Sequence, residues 1–472
     1  MLIGDFYYEM PTSLKSLNVT SFYFVAFCFL VFCLSRPYKS KLRPYILFIA
    51  NIIFVYSFGL NNLIWLLLIT FIAYIVGIIN DKYHNKYLLH VSVFIFICFL
   101  FIFKYLNLSD DIVIPLGLSF YTFKIISYIC DIYNHKINAE YSPLYFFDYV
   151  MFFPCIMAGP INRADYFIKE LKSKHEFNYE DISTGFFLLA CGLFEKLVFC
   201  DFIASVVSRC LDNNEIFGLN VVLGVVLYSL EIYLDFDAYS NIAIGVSRML
   251  GFKFAKNFNV PYLATSFKDF WNRWHISLST WLRDYIYIPL GGNKKGDKRK
   301  YINILIVFIV SGLWHGLALN YLVWGLGHGL FRIIEDIFVF PYIKNFKLNK
   351  FKKFLFNILL IVINFVLVTF LWIFFKYDLN NAFEIIRRMF VFASIDFELI
   401  GLTHNEILWL SFIILFVIIS DIVRYFFDVS KFIGKSVFVF RYAIYVVLIL
   451  VFLVFGMYGG SFDTNDFIYR WF

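Results

Sequence analysis

The chain has 472 residues, of which 61% are hydrophobic, 22% aromatic and only 16% charged, with a mean hydropathy of +0.74. This composition excludes an ordinary soluble globular domain and points to an integral membrane protein. The formal charge of +7 does not argue for nucleic acid, because the basic residues fall in short loops between apolar runs and form no basic reading face.

In chain order, the start "MLIGDFYYEMPTSLKSLN" lacks the basic opening and small-residue cleavage site of a secretory signal, so the first apolar run is expected to be retained. Membrane spans are predicted at 21–34, 44–58, 62–79, 88–105, 112–133, 184–207, 219–234, 238–251, 301–319, 320–340, 354–375, 406–426 and 442–457. The fold class is therefore an all-α polytopic membrane protein with about 11–13 transmembrane helices plus re-entrant and interfacial helices. We expect one integral membrane domain over 1–472, divided into N-terminal helices (1–110), a core (111–340) and C-terminal helices (341–472).

Basic loops at 36–43, 293–300 and 344–353 contrast with acidic ones at 107–111 and 396–406. Loops rich in Lys and Arg face the cytoplasm, so both termini are expected outside, with Lys431, Lys435 and Arg441 inside. Eight cysteines, scattered without a CxxC pair, read as small buried hydrophobes.

Two apolar segments do not read as spans. "LYFFDYVMFFPCIMAGPI" (144–161) carries Pro154, Gly159 and Pro160, so a re-entrant or broken segment buried in protein is predicted. The other is "FWNRWHISLSTWLRDYIYIPLGGNKKG" (270–296); just ahead of it, Ser266 and Asp269 frame a helix start. Phe267, Phe270, Trp271 and Trp274 then form an apolar face, and Asp269 and Arg273 stand one turn apart. The residues alone describe an amphipathic in-plane platform in which His275 is an interfacial imidazole satisfied by water or headgroups.

His315 differs. Fourteen residues beyond Tyr301, it sits roughly 21 Å along an upright helix, past the bilayer midplane. An ionisable group at that depth must face a protein interior or a cavity, and a neutral imidazole in apolar surroundings suits general-base chemistry. Gly312 and Gly316 would let a neighbouring helix or a narrow ligand approach it. The alternative is a helix-packing histidine, and His328 is read that way.

These two segments, with "IPLGLSFYTF" (114–123), "MAGPINR" (157–163), "DFDAYSNIAIG" (235–245), "NFNVPYLATSFKDFW" (257–271), "WIFFKYDLNNAFEIIRRMF" (372–390) and the ending "DFIYRWF", resemble the membrane-bound O-acyltransferase family, in particular its bacterial alginate O-acetylation branch. The resemblance implies a multi-helix fold around a transmembrane tunnel in the bacterial cytoplasmic membrane. It implies acetyl-CoA or another acyl-CoA as donor substrate from the cytoplasm, no permanently bound cofactor, no metal, and a hydroxyl acceptor on an extracytoplasmic polysaccharide or cell-wall polymer. A separate extracytoplasmic acyltransferase or secretion-complex protein is an implied partner.

The family's near-invariant histidine maps onto His315 and the branch's second polar position onto His275, the two expected catalytic residues. Lys294, Lys295, Lys298, Arg299 and Lys300 are candidates for the CoA phosphates, although any cytoplasmic loop would be basic. D-alanyl transfer to teichoic acid is the alternative within the fold. Outside it, Glu231, Asp235 and Asp237 in an apolar segment would suit a proton-coupled transporter, and the DxD at 235–237 a metal-nucleotide glycosyltransferase.

Overall fold

A computed structural model describes residues 17–35, 41–105, 115–173, 178–343 and 349–456. The loop residues 36–40, 107–111 and 344–348 and the terminal motif at 466–472, all used above, lie outside the described residues. Among the described residues every regular element is helical. Six helices among these residues are long and apolar enough to cross a membrane, and two shorter apolar ones cover Phe22–Ser35 and Arg43–Tyr56. The protein is a multi-pass, all-α membrane protein.

The described residues divide into two compact units, one formed by residues up to 186 with 243–254, the other by 187–242 and the residues from 255 onward. The first holds α1 (Phe22–Ser35), α2 (Arg43–Tyr56), α3 (Leu60–Tyr83), α4 (Lys86–Tyr105), α5 (Leu118–Tyr133), α6 (Pro143–Met151) and α7 (Ala164–Lys172). The segment at 144–161 is broken and buried as its prolines predict: α6 ends at Met151 and a short 3-10 turn follows at Phe153–Cys155. Asn51 of α2 ties it down, its amide donating to the Asp148 carboxylate (3.0 Å) while its carbonyl accepts from the Phe153 N–H (2.9 Å). Non-helical backbone at membrane depth is tolerated where protein side chains satisfy it in this way.

Through both units run α8 (Tyr179–Phe194) and α10 (Leu219–Met249), with α9 (Asp201–Leu211) between them in the second. The two spans predicted at 219–234 and 238–251 are in fact the single helix α10. No proline or glycine breaks it at 234–238, and the two acids there, Asp235 and Asp237, are neutralised where they stand. Lys196 sits 2.7 Å from Asp235 and 2.9 Å from Asp201, all three side chains buried. Arg424 bonds Asp237 at 2.7 Å and lies 3.7 Å from Asp421 and 4.0 Å from Glu195, which also accepts from Asn241. A charge paired in protein lets a helix continue where an isolated one would not. Of the three carboxylates that suggested a proton relay, Asp235 and Asp237 are thus held in ion pairs, whereas Glu231 is buried with one oxygen that finds no partner among the described residues.

The second unit then holds α11 (Phe267–Arg273), α12 (Ile276–Leu282), α13 (Asp297–His315), α14 (Leu319–Ile334), α15 (Phe340–Ile343), α16 (Lys350–Lys376), α17 (Leu379–Met389), α18 (His404–Phe426), α19 (Val429–Lys435) and α20 (Phe438–Phe455). Lipid does not drive helices together hydrophobically, so close packing must. The α13–α14 hairpin achieves it with glycine: a Cβ on Gly312 would lie 2.4 Å from the Tyr321 carbonyl oxygen, and one on Gly325 would lie 2.4 Å from that of Phe308. This backbone contact positions the end of α13, and with it His315. Of the eight cysteines, all free, Cys28, Cys155, Cys200 and Cys210 are buried and Cys33 is exposed.

Candidate active site

The site grows from the broken segment 257–292. Ser266 caps α11 by accepting from the Asp269 N–H (3.0 Å), and Arg273 bonds Asp269 (2.8 Å), as the sequence predicts. The first two α11 amides donate to the Glu335 carboxylate, Phe267 N–H at 2.9 Å and Lys268 N–H at 3.2 Å, so the end of α14 fixes the start of α11.

His275 is not interfacial. It is 1% exposed, in the left-handed region (φ 41°), and its Nδ1 accepts from the Leu278 N–H (3.4 Å) to cap α12. Its ring lies against Phe236 (4.6 Å) and Phe258 (6.3 Å). Asn257 clamps the turn, accepting from the Ser277 N–H (3.1 Å) and hydroxyl (2.9 Å) and donating to Ser240 (3.1 Å). The platform reading failed because residues far back in the chain, at 236, 240, 257 and 258, bury the turn.

Burial pushes the His275 imidazole down from its ordinary 6.5 to about 3. The unfolded chain therefore takes up a proton between pH 6.5 and 3 that the folded protein refuses, and stability falls as pH drops through that window. The slope is about 1.4 kcal/mol per pH unit. His275→Gln is expected to lose this acid sensitivity, so its unfolding midpoint in detergent should drop less than the native one between pH 7 and pH 5. Equal drops would contradict the assignment.

His315 ends α13 and is 4% exposed. Its ring packs on Trp314 (4.4 Å), Phe375 (4.8 Å), Trp324 (5.2 Å) and Tyr321 (6.3 Å). An aromatic ladder separates it from His275: Trp324 to Trp372 (5.9 Å), Trp372 to Trp274 (5.0 Å) and Trp274 to Phe258 (5.0 Å). The structure does not bring the two expected catalytic residues into contact. The histidine it places beside the His315 cluster is His328, which is fully buried and in ring contact with Trp324 at 5.1 Å. Trp271 donates its indole N–H to His328 Nδ1 at 3.3 Å.

Trp271 also lines a cavity of about 420 Å³. Phe267, Trp271, Ile304, Val307 and Phe308 form its apolar part, and Lys268, Arg283, Lys300 and Arg332 face it against the single acid Asp336. Of the five basic candidates at 294–300, Lys300 lines the cavity, ion-paired with Asp336; His315, His275 and His328 do not line it. Lys268, Arg283 and Arg332 were missed because, far apart in sequence, each reads as an ordinary interfacial cation. Trp324 and His328 do carry a sequence signal, a tryptophan and a histidine four apart on one helix face. Behind the Trp271 wall come His328 and Trp324, then His315.

The sequence model described as "MBOAT, membrane-bound O-acyltransferase family" matches residues 46–379, well over half of the chain. The chain belongs to the membrane-bound O-acyltransferase family. It is 32% identical over 400 residues to a probable alginate O-acetylase AlgI of Pseudomonas aeruginosa, covering 78% of this chain and 74% of that protein. It is likewise 32% identical to a peptidoglycan O-acetyltransferase of Helicobacter pylori over 59% of this chain and 57% of that one. A teichoic acid D-alanyltransferase of Bacillus subtilis is 32% identical over 47% of this chain and 59% of its own. The protein is an acyltransferase of this family.

Proposed function

We propose that the protein moves an acetyl group from cytoplasmic acetyl-CoA to a hydroxyl on an extracytoplasmic polysaccharide, in the bacterial cytoplasmic membrane and with a separate extracytoplasmic partner protein. The observation that carries this reading is the cation-lined cavity, whose apolar wall, Trp271 and Phe308, backs onto the aromatic cluster containing His315. Four basic side chains against one acid suit the phosphates of a nucleotide thioester, and the apolar wall suits its acyl end.

His315 acts as general base: it takes the proton of the acceptor hydroxyl as that oxygen attacks the thioester carbonyl, and returns it to the departing CoA sulfur. Holding both reactants beside one imidazole supplies the remaining advantage. His275 has a supporting role, fixing the turn that carries α11 and α12 and so positioning the cavity wall.

Supplying membranes with acetyl-CoA labelled in the acetyl group and identifying the labelled product tests the reading. Label on a polysaccharide hydroxyl supports it. Transfer from a D-alanyl thioester with none from acetyl-CoA would replace it by the D-alanyl reaction. The cavity assignment has its own test. Lys268→Ala combined with Arg283→Ala is expected to raise KM for acetyl-CoA about tenfold, ~1.4 kcal/mol of donor binding, with kcat held. Neutralising Lys294, Lys295 and Lys298, which do not line the cavity, should leave KM unchanged.

A further inference from the structure

Two buried donors beside His315 have no hydrogen-bond partner among the described residues. They are Trp324 Nε1, on a side chain 1% exposed, and His328 Nε2, on one that is fully buried. Buried polar groups are almost always satisfied, and those left over in a native structure call for a reason. The state of His328 follows from its neighbour. An indole N–H can only donate, so Trp271 obliges His328 Nδ1 to accept, and the neutral ring carries its proton on Nε2. Both orphan atoms are therefore N–H donors. They belong to rings in contact at 5.1 Å, four residues apart on α14, and Trp324 touches the His315 ring at 5.2 Å.

Acyl transfer from a thioester calls for such groups. As the acceptor oxygen attacks, its proton passes to His315 and the carbonyl π pair moves onto the carbonyl oxygen. The tetrahedral oxyanion then re-forms the C=O bond, the C–S bond breaks, and the sulfur takes the proton from the imidazolium. Fixed donors with no partner among the described residues, set among packed aromatic rings, favour the step in which that negative charge appears. We propose that Trp324 Nε1–H and His328 Nε2–H form the oxyanion hole of this enzyme, with Trp271 as the positioning residue that holds His328 in the Nε2–H form. The proposal rests on the reading of His315 as the base.

The test is steady-state acetyl transfer by the full-length protein in membranes, with abundance matched and unfolding midpoints measured in detergent. Trp324→Phe keeps a ring and deletes the N–H, and is expected to lower kcat roughly 100-fold with donor KM unchanged. Its unfolding midpoint should not fall, because an unpaired buried donor has been removed. A kcat within twofold of native overturns the proposal, as does a loss of activity accompanied by an equal loss of folded protein.

Two further variants do not depend on Trp324. Glutamine places its amide nitrogen where His328 Nε2 stands, whereas asparagine reproduces only the Nδ1 position. His328→Gln should retain at least tenfold more kcat than His328→Asn. The reverse order would show that His328 serves only to anchor Trp271. If His315→Ala is inactive while Trp324→Phe and the two His328 variants all give the overturning result, the oxyanion assignment alone is wrong. If His315→Ala retains native activity, the base reading and this proposal fall together.

Discussion

His315→Ala is expected to lower kcat for acyl transfer by roughly 10²- to 10⁴-fold, the usual contribution of a positioned general base, at unchanged abundance. The size of the loss depends on whether a neighbouring group could substitute, and the geometry opposes this. His328 is the nearest imidazole through Trp324, but its Nδ1 is occupied by the Trp271 N–H, which leaves its other nitrogen a donor. His275 lies beyond the Trp372, Trp274 and Phe258 rings, with its own Nδ1 committed to capping α12. Initial rates of labelled acetyl transfer in membranes, normalised to protein level, measure the effect. Because the cavity proposed for the donor is lined by other residues, KM for acetyl-CoA should stay within about threefold of native while kcat collapses, the pattern of an interaction made in the transition state. A rate within twofold of native would remove His315 from the chemistry.

What could be read from the chain divides along a physical line. Local signals held: the Ser266 cap, the Asp269–Arg273 pair and the proline-broken segment at 144–161 all depend on residues within a turn or two of one another. The all-helical membrane character followed from composition, and the burial of His315 from its distance along an apolar helix. Interactions made across long stretches of sequence were not legible. His275 reads as interfacial until Phe236, Asn257 and Phe258 are folded onto it, and α10 reads as two spans until Lys196 and Arg424 neutralise its acids. The cage around His315 was hidden for a different reason. With 22% aromatic residues, a tryptophan that faces lipid and one that packs against a buried histidine carry the same local pattern.

The largest stability effect is expected at Lys196. Its ammonium lies between Asp235 and Asp201, at 2.7 and 2.9 Å, with all three side chains at most 4% exposed. Lys196→Met keeps the length and apolar stem but leaves two buried carboxylates without their cation, which costs about 3–5 kcal/mol where one partner of a buried pair is removed. In a protein of ordinary marginal stability this would be seen as a large drop in unfolding midpoint and in membrane abundance. Adding Asp235→Asn removes one of the stranded charges, so the double variant should be more stable than Lys196→Met alone, the non-additivity expected of residues in one network. The pair also separates an acyltransferase from a proton carrier. If Asp235 relayed protons, Asp235→Asn would abolish function in a protein of native stability. As a structural partner of Lys196, it should instead lose stability while each remaining folded molecule transfers acyl groups at close to the native rate.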